Sequence, residues 1–195
     1  MASDTVRAAL NKIWPPLEAL GHRCALMGGA ALAVWNYPRA TRDVDVLLGI
    51  DSASFPSVME HLTSAGFRPK KSPPLANIGG HSLAQFLYTP PDEFYDVQFD
   101  IWLAESALQR FALDRSLLRQ LPGVDKPIRV LSVEDLILFK LVAGRMIDRA
   151  DAAMLLRENR DSIDFQYLRD WVTKLNLSSE LATIWTEAFP GEAAP

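Results

Sequence analysis

The stretch "RATRDVDVLL", residues 39–48, alternates polar and apolar side chains through Asp43, Val44, Asp45 and Val46. In a strand, residues of one parity share a face. Val44, Val46 and Leu48 are therefore predicted to point into a core, and Arg39, Thr41, Asp43 and Asp45 to point away from it. The two aspartates would stand roughly 7 Å apart on that outer face. Like charges at this spacing repel unless the face is wet or something positive lies between them. Carboxylates so placed can converge on a hard cation, and Mg2+ is commonly held by one or two carboxylates plus substrate phosphates. A solvent-facing polar stripe has the same pattern, so the rest of the chain must decide.

A second alternating run, "FYDVQFDIWL" at 94–103, puts Val97, Phe99, Ile101 and Leu103 on one face and Asp96, Gln98, Asp100 and Trp102 on the other. Asp100 sits mid-run between Phe99 and Ile101 and is the better third acid; Asp96 lies nearer the turn "TPPDE". Three acids on adjacent strands would be poor folding design without a cation to pair them. Gly28 and Gly29 stand between a predicted strand, "HRCALM", and a short helix, "AALAVWNY". Glycines there let backbone N–H groups approach a phosphate, although a tight strand-to-helix turn uses the same residues. The spacing is not that of a Walker loop or a dinucleotide fingerprint.

"SVEDLILFKLVAGRMIDRADAAML", residues 132–155, opens with a capping box, Ser132 and Asp135. Its first helix is apolar nearly all round and hence buried. Lys140 in that setting needs an anion or a path to solvent, and either a triphosphate or a carboxylate cluster would serve. Asp148 and Asp151 read as the cap and first turn of the following helix.

The remaining order completes a mixed α/β chain with a helical C-terminal portion. A helix is predicted over 4–20, bent or stopped at Pro15-Pro16, and another in "SFPSVMEHLTSAGF" ending at Gly66. Residues 69–81 read as a Pro/Gly-rich loop carrying His81, beside a small basic cluster of Arg68, Lys70 and Lys71. "SLAQFLY" and "KPIRVLS" read as strands, residues 105–121 as partly helical, and 133–144, about 149–158 and 164–175 as helices. The expected organisation is a core over residues 1–131 and a helical portion over 132–195, packed as one compact unit.

Composition narrows the function classes. The 195 residues are 49% hydrophobic and 23% charged, as in an ordinary globular protein. A formal charge of −4 supplies no global field for nucleic acid, so such a partner would need a local patch. One cysteine, Cys24, excludes an internal disulfide and Cys-rich zinc sites, and it reads as a small buried hydrophobe. The histidines His22, His61 and His81 lack metal-ligand spacing. No stretch is long and apolar enough for a membrane span, and "MASDTVRAAL" lacks a signal-peptide pattern, so a cytoplasmic location is expected.

"MGGAALAVWNYPRATRDVDVLL" followed by "FDIWL" resembles the polymerase-beta-like nucleotidyltransferase superfamily: a Gly pair, a short helix, a strand with two aspartates one apart, and a third acid on a later strand. "R-A-T-R-D-V-D" and "EDLILFKLVAGRMIDRADAAML" look most like the bacterial toxin-type, abortive-infection branch, over roughly residues 20–156. The resemblance implies a mixed twisted sheet of the nucleotidyltransferase type flanked by helices. It implies transfer of an NMP group from an NTP to an acceptor hydroxyl on RNA, protein or a small molecule, with an antitoxin as a candidate partner. Carried over by position, Asp43, Asp45 and Asp100 would hold Mg2+ or Mn2+, and Asp100 would help deprotonate the attacking hydroxyl. Gly28 and Gly29 would cradle the triphosphate and Lys140 would neutralise it. Thr41 and Arg42 join the nucleotide-binding set, Arg42 either orienting phosphate or packing outward. The alternative is a catalytically inactive nucleotide-binding or protein-interaction module on the same fold.

Overall fold

The computed structural model of the chain describes residues 4–91 and 93–192. Two compact units emerge: Met1–Val34 with Pro38–Leu131, and Trp35–Tyr37 with Ser132–Pro195. No helix among the described residues is long and apolar enough to cross a membrane.

The first unit is built on one mixed sheet. Its strands are β1 (Cys24–Met27), β2 (Asp43–Leu48), β3 (Arg68–Pro69), β4 (Leu75–Ile78), β5 (His81–Tyr88), β6 (Val97–Leu103), β7 (Leu117–Arg119) and β8 (Ile128–Val130). They lie in the order β3-β5-β6-β2-β1-β8-β7, with β4 paired to β5. The period-2 pattern does what the sequence predicts. Val44, Val46, Phe99, Ile101 and Phe86 are fully buried on one face, each worth about 1.5–3 kcal/mol relative to exposure. Against that core lies α1 (Asp4–Ala19), which contacts both β2 and β6.

Helix α1 is not stopped by Pro15 and Pro16 but runs through them. Two missing N–H groups cost backbone hydrogen bonds, while Ile13, Trp14 and Leu17 are buried on either side of the prolines and hold the segment down. The short α2 (Gly28–Ala31) follows β1 directly and passes into a 3-10 turn at Leu32–Trp35. Helices α3 (Phe55–Ser64) and α4 (Ala107–Arg115) complete this unit.

Residues 69–81 are not a plain loop. They hold β4, which pairs antiparallel with β5 around Gly79-Gly80. Both glycines have positive φ, 59° and 84°, as a two-residue hairpin turn of the primed kind requires. His81 is consequently the first residue of β5, not a loop residue. Residues 105–121 divide into α4, opened by a capping box of Ser106 and Gln109, and the edge strand β7. Of the turn "TPPDE", Asp92 lies outside the described residues.

The second unit is helical: α5 (Val133–Ala143), α6 (Met146–Asn159), α7 (Phe165–Lys174) and α8 (Ser178–Ala188). Helix α8 is a fourth helix beyond the three predicted, and it buries Leu181, Ile184, Trp185 and Ala188 at helical spacing. Residues 35–37 are tied to this unit by Asn159, whose Nδ2 donates to the Trp35 carbonyl at 2.8 Å.

Candidate functional site

Strands β2 and β6 run parallel with Asp43 opposite Gln98 and Asp45 opposite Asp100. In the next pair, β5 runs antiparallel to β6 with Gln85 opposite Asp100. Asp43, Asp45, Asp100, Gln98, Gln85 and Trp102 therefore share the face opposite the core, and all are half-buried. The third acid stands directly beside the second.

The donors around these acids are specific. Thr41 Oγ1 donates to Asp43 Oδ1 at 2.7 Å. Asp100 Oδ1 accepts from Gln98 Nε2 at 2.7 Å and from Gln85 Nε2 at 3.0 Å. Trp102 Nε1 lies 3.4 Å from Asp45 Oδ1, a long and weak contact. The Lys70 ammonium donates to Gln98 Oε1 from beyond β5. Arg68 is paired with Asp96 at 2.8 Å. Asp96 is held below the ordinary carboxyl range by the Thr89 hydroxyl at 2.6 Å, with Arg68 adding to the effect.

The glycine pair leans on the same acids. Gly28 has φ +62°, and a Cβ there would fall 1.9 Å from Asp45 Oδ2. At Gly29 a Cβ would fall 2.9 Å from Thr41 Oγ1 and 3.3 Å from an Arg39 guanidinium nitrogen. The turn thus lies against the D-x-D strand with no side chain intervening, and Arg39 stands beside it. Arg42 is exposed.

Three oxygen-donor side chains on one face, two of them in direct register, fit a hard divalent cation in kind. Among the described residues no three His, Cys, Asp or Glu side chains are drawn together as ligands. Asp43 and Asp100 are turned onto neutral O–H and N–H donors instead.

Lys140 belongs to the helical unit, and there the structure shows a carboxylate cluster. Its Nζ is 2.8 Å from Asp148 Oδ1 and 2.8 Å from Asp151 Oδ2, with side-chain exposures of 8%, 1% and 1%. Asp148 also takes the Arg145 guanidinium at 2.5 Å. Burial pushes Asp148 upward, but the hydrogen bonds and charges of Arg145 and Lys140 outweigh it and hold its carboxyl below the ordinary value. Asp148 lies in the first turn of α6 but Arg145, not Asp148, occupies the cap position. Ser132 caps α5 through its hydroxyl, accepting from Asp135 N and donating to Asp135 Oδ2. Cys24 is buried, and burial, with Glu18 adding to it, pushes its thiol up to about 12.

Sequence reasoning placed Gln98 and Trp102 on the acid face but gave them no role. Gln85 carries no signal in the sequence, and Lys70 reads there only as part of the basic cluster, because only the β3-β5-β6 register brings the two beside Asp100.

A family model described as an uncharacterised nucleotidyltransferase matches residues 1–186. The chain belongs to this nucleotidyltransferase family. No curated protein matches it. Among solved structures, an antigenic nucleotidyltransferase-like protein from Paracoccidioides brasiliensis is 20% identical, with 92% of this chain and 93% of that one covered, at a TM-score of 0.55. The antibiotic-resistance factor ANT(2'')-Ia in solution is 15% identical over 95% and 98% of the two chains, at 0.57. Its crystal structure with adenylyl-2''-tobramycin is 15% identical over 90% and 98%, at 0.53. These likenesses establish the nucleotidyltransferase fold.

Proposed function

We propose that the chain moves an NMP group from an NTP to an acceptor hydroxyl in a metal-dependent reaction, with Asp43, Asp45 and Asp100 as the metal-holding acids. The observation that carries this reading is the β2–β6 register, which sets Asp100 beside Asp45 on a half-buried stretch of the sheet. Mg2+ or Mn2+ held there would supply charge stabilisation to the triphosphate and to the attacking and leaving oxygens. The acceptor oxygen forms a bond to the α-phosphorus, the bond to pyrophosphate breaks, and the hydroxyl proton passes to Asp100. Gly28 and Gly29 let the turn sit directly against the D-x-D strand, where its backbone N–H groups would meet the triphosphate. Thr41 fixes Asp43, and Arg39 and Arg42 add positive charge on that side. Such a transfer asks chiefly for positioning and electrostatic stabilisation. Lys140 does not enter this reading, because Asp148 and Asp151 already take its ammonium.

The acceptor in this reading is a small-molecule hydroxyl, as in the adenylyl-tobramycin complex of the resistance factor. Charge favours it over RNA: Arg68 is paired with Asp96, and the chain carries −4 overall. A toxin-type role on RNA or protein, with an antitoxin partner, rests on the R-A-T-R-D-V-D and EDLILFKLVAGRMIDRADAAML wording.

Calorimetric titration of each NTP with and without Mg2+ tests the reaction class. Wild type should bind at least one NTP only with the metal, and Asp43→Asn/Asp45→Asn should lose that binding while keeping its circular-dichroism spectrum. Equal binding by the folded double variant would remove the D-x-D from the site and leave a binding module on this fold.

A further inference from the structure

Lys70 extends the β3–β5 pairing by one residue, its N–H donating to the Gln85 carbonyl at 2.8 Å. The register of β3 with β5, Arg68 to Leu87 and Pro69 to Phe86, then places Lys70 opposite Gln85. Its side chain falls on the face of Gln85 and Asp100, in the same row across the sheet. There its ammonium bonds to Gln98 Oε1.

An ammonium has donors only, so it can take only the carbonyl end of an amide. With Oε1 engaged, the Gln98 amide must present Nε2 to Asp100, and it does so at 2.7 Å. Gln85 places its own Nε2 on the same oxygen at 3.0 Å. Both donors land on Oδ1, and among the described residues Oδ2 has no hydrogen-bond donor. A glutamine with nothing on its carbonyl can flip, and the flipped amide would turn oxygen toward the carboxylate.

We propose that Lys70 is a positioning residue: through the Gln98 amide it fixes the Asp100 carboxylate so that Oδ2 is the oxygen offered to the cation and the acceptor hydroxyl. This rests on the reading of Asp100 as a metal-holding acid. Outer-shell partners of metal-ligating groups are worth about 10–100-fold in affinity. The sign separates this role from bulk electrostatics. Removing a lysine near a cation site strengthens cation binding by Coulomb's law, whereas loss of the amide orientation weakens it.

The test uses the full chain with Mn2+ as probe, free Mn2+ being read by electron paramagnetic resonance, and nuclear magnetic resonance of the Gln98 side-chain amide. Lys70→Met should weaken Mn2+ binding about 10–100-fold and shift the Gln98 NH2 signals. Lys70→Arg should restore most of both. Lys71→Met, which removes an exposed neighbouring charge, should leave binding equal or slightly tighter. Unchanged or tighter Mn2+ binding by Lys70→Met, or an unmoved Gln98 amide, overturns the proposal. If Asp43→Asn/Asp45→Asn also binds Mn2+ as wild type does, the metal reading itself has failed; if only the Lys70 variants are silent, the relay alone has.

Discussion

In the helical unit Asp148 and Asp151 share one ammonium, with a guanidinium added, and are almost completely buried. On the sheet, Asp43 takes a threonine hydroxyl and Asp100 two glutamine amides, at half-burial. The side chains are the same and the environments opposite. A carboxylate neutralised inside the fold can be sequestered from water, and its charge is then spent on structure. A carboxylate steadied by neutral donors keeps its charge, which favours placing it where a cationic or phosphate-bearing ligand arrives. The molecule therefore separates acids paired with cations inside the helical unit from acids steadied by neutral donors on the sheet.

Breaking the helical cluster should produce the largest effect. Lys140→Met leaves Asp151 and Asp148 buried without their shared ammonium, and losing one partner of a buried pair costs about 3–5 kcal/mol. Urea denaturation should show that loss, while the Asp43→Asn/Asp45→Asn variant, relieved of repulsion on a half-buried face, unfolds at or above the wild-type midpoint. A Lys140→Met protein as stable as wild type that had lost NTP affinity would reverse the comparison and return Lys140 to the nucleotide.

Gly28→Ala should have an intermediate effect and act on the other region. An alanine at φ +62° costs about 1–2 kcal/mol from its backbone alone, and its Cβ would fall 1.9 Å from Asp45 Oδ2 and 2.8 Å from Asp45 Cβ, so the carboxylate must swing aside and the strand must give as well. The expected result is a protein at least about 1–2 kcal/mol less stable by urea whose Mg2+-dependent NTP binding is lost. Retained binding would show that the Asp45 rotamer is immaterial to the site.

The two regions were not equally legible in the sequence. Period-2 alternation is local, so the face of Asp43, Asp45 and Asp100 could be read from "RDVDVLL" and "YDVQFDIWL" directly. Which strand pairs with which is not local. The direct opposition of Asp45 and Asp100, and the approach of Gln85 and Lys70 from β5 and β3, needed the register. Lys140 shows the same limit. Its burial and its need for an anion followed from the apolar helix around it, but its partners lie across the α5–α6 turn, where an acid early in a helix reads as a cap. Proline and glycine misled in both directions. Pro15-Pro16 did not end α1, because flanking apolar side chains are buried, and Gly79-Gly80 made a hairpin out of an expected loop.

The smallest expected effect is in the response to acid, and it sharpens the comparison by assigning acid lability to one region. Asp148 is held below the ordinary carboxyl range in the folded chain, so the folded state releases that proton at lower pH than the unfolded state does. Its contribution to stability is then complete above about pH 4, the unfolded value, and drains away as the pH falls through the folded value. Asp96 and the half-buried Glu105 are lowered too, chiefly by the hydroxyls of Thr89 and Ser52, while salt screens the exposed Arg68–Asp96 pair far more than the buried cluster. Urea midpoints measured from pH 5.5 down to 2.5 in roughly 0.5 M salt, where the Debye length is only a few ångströms, should therefore still fall. Asp43→Asn/Asp45→Asn should still fall, because Asp148 and its partners are untouched in that variant. A double variant that had become insensitive to acid would place the titrating acids on the sheet and erase the division between the two regions.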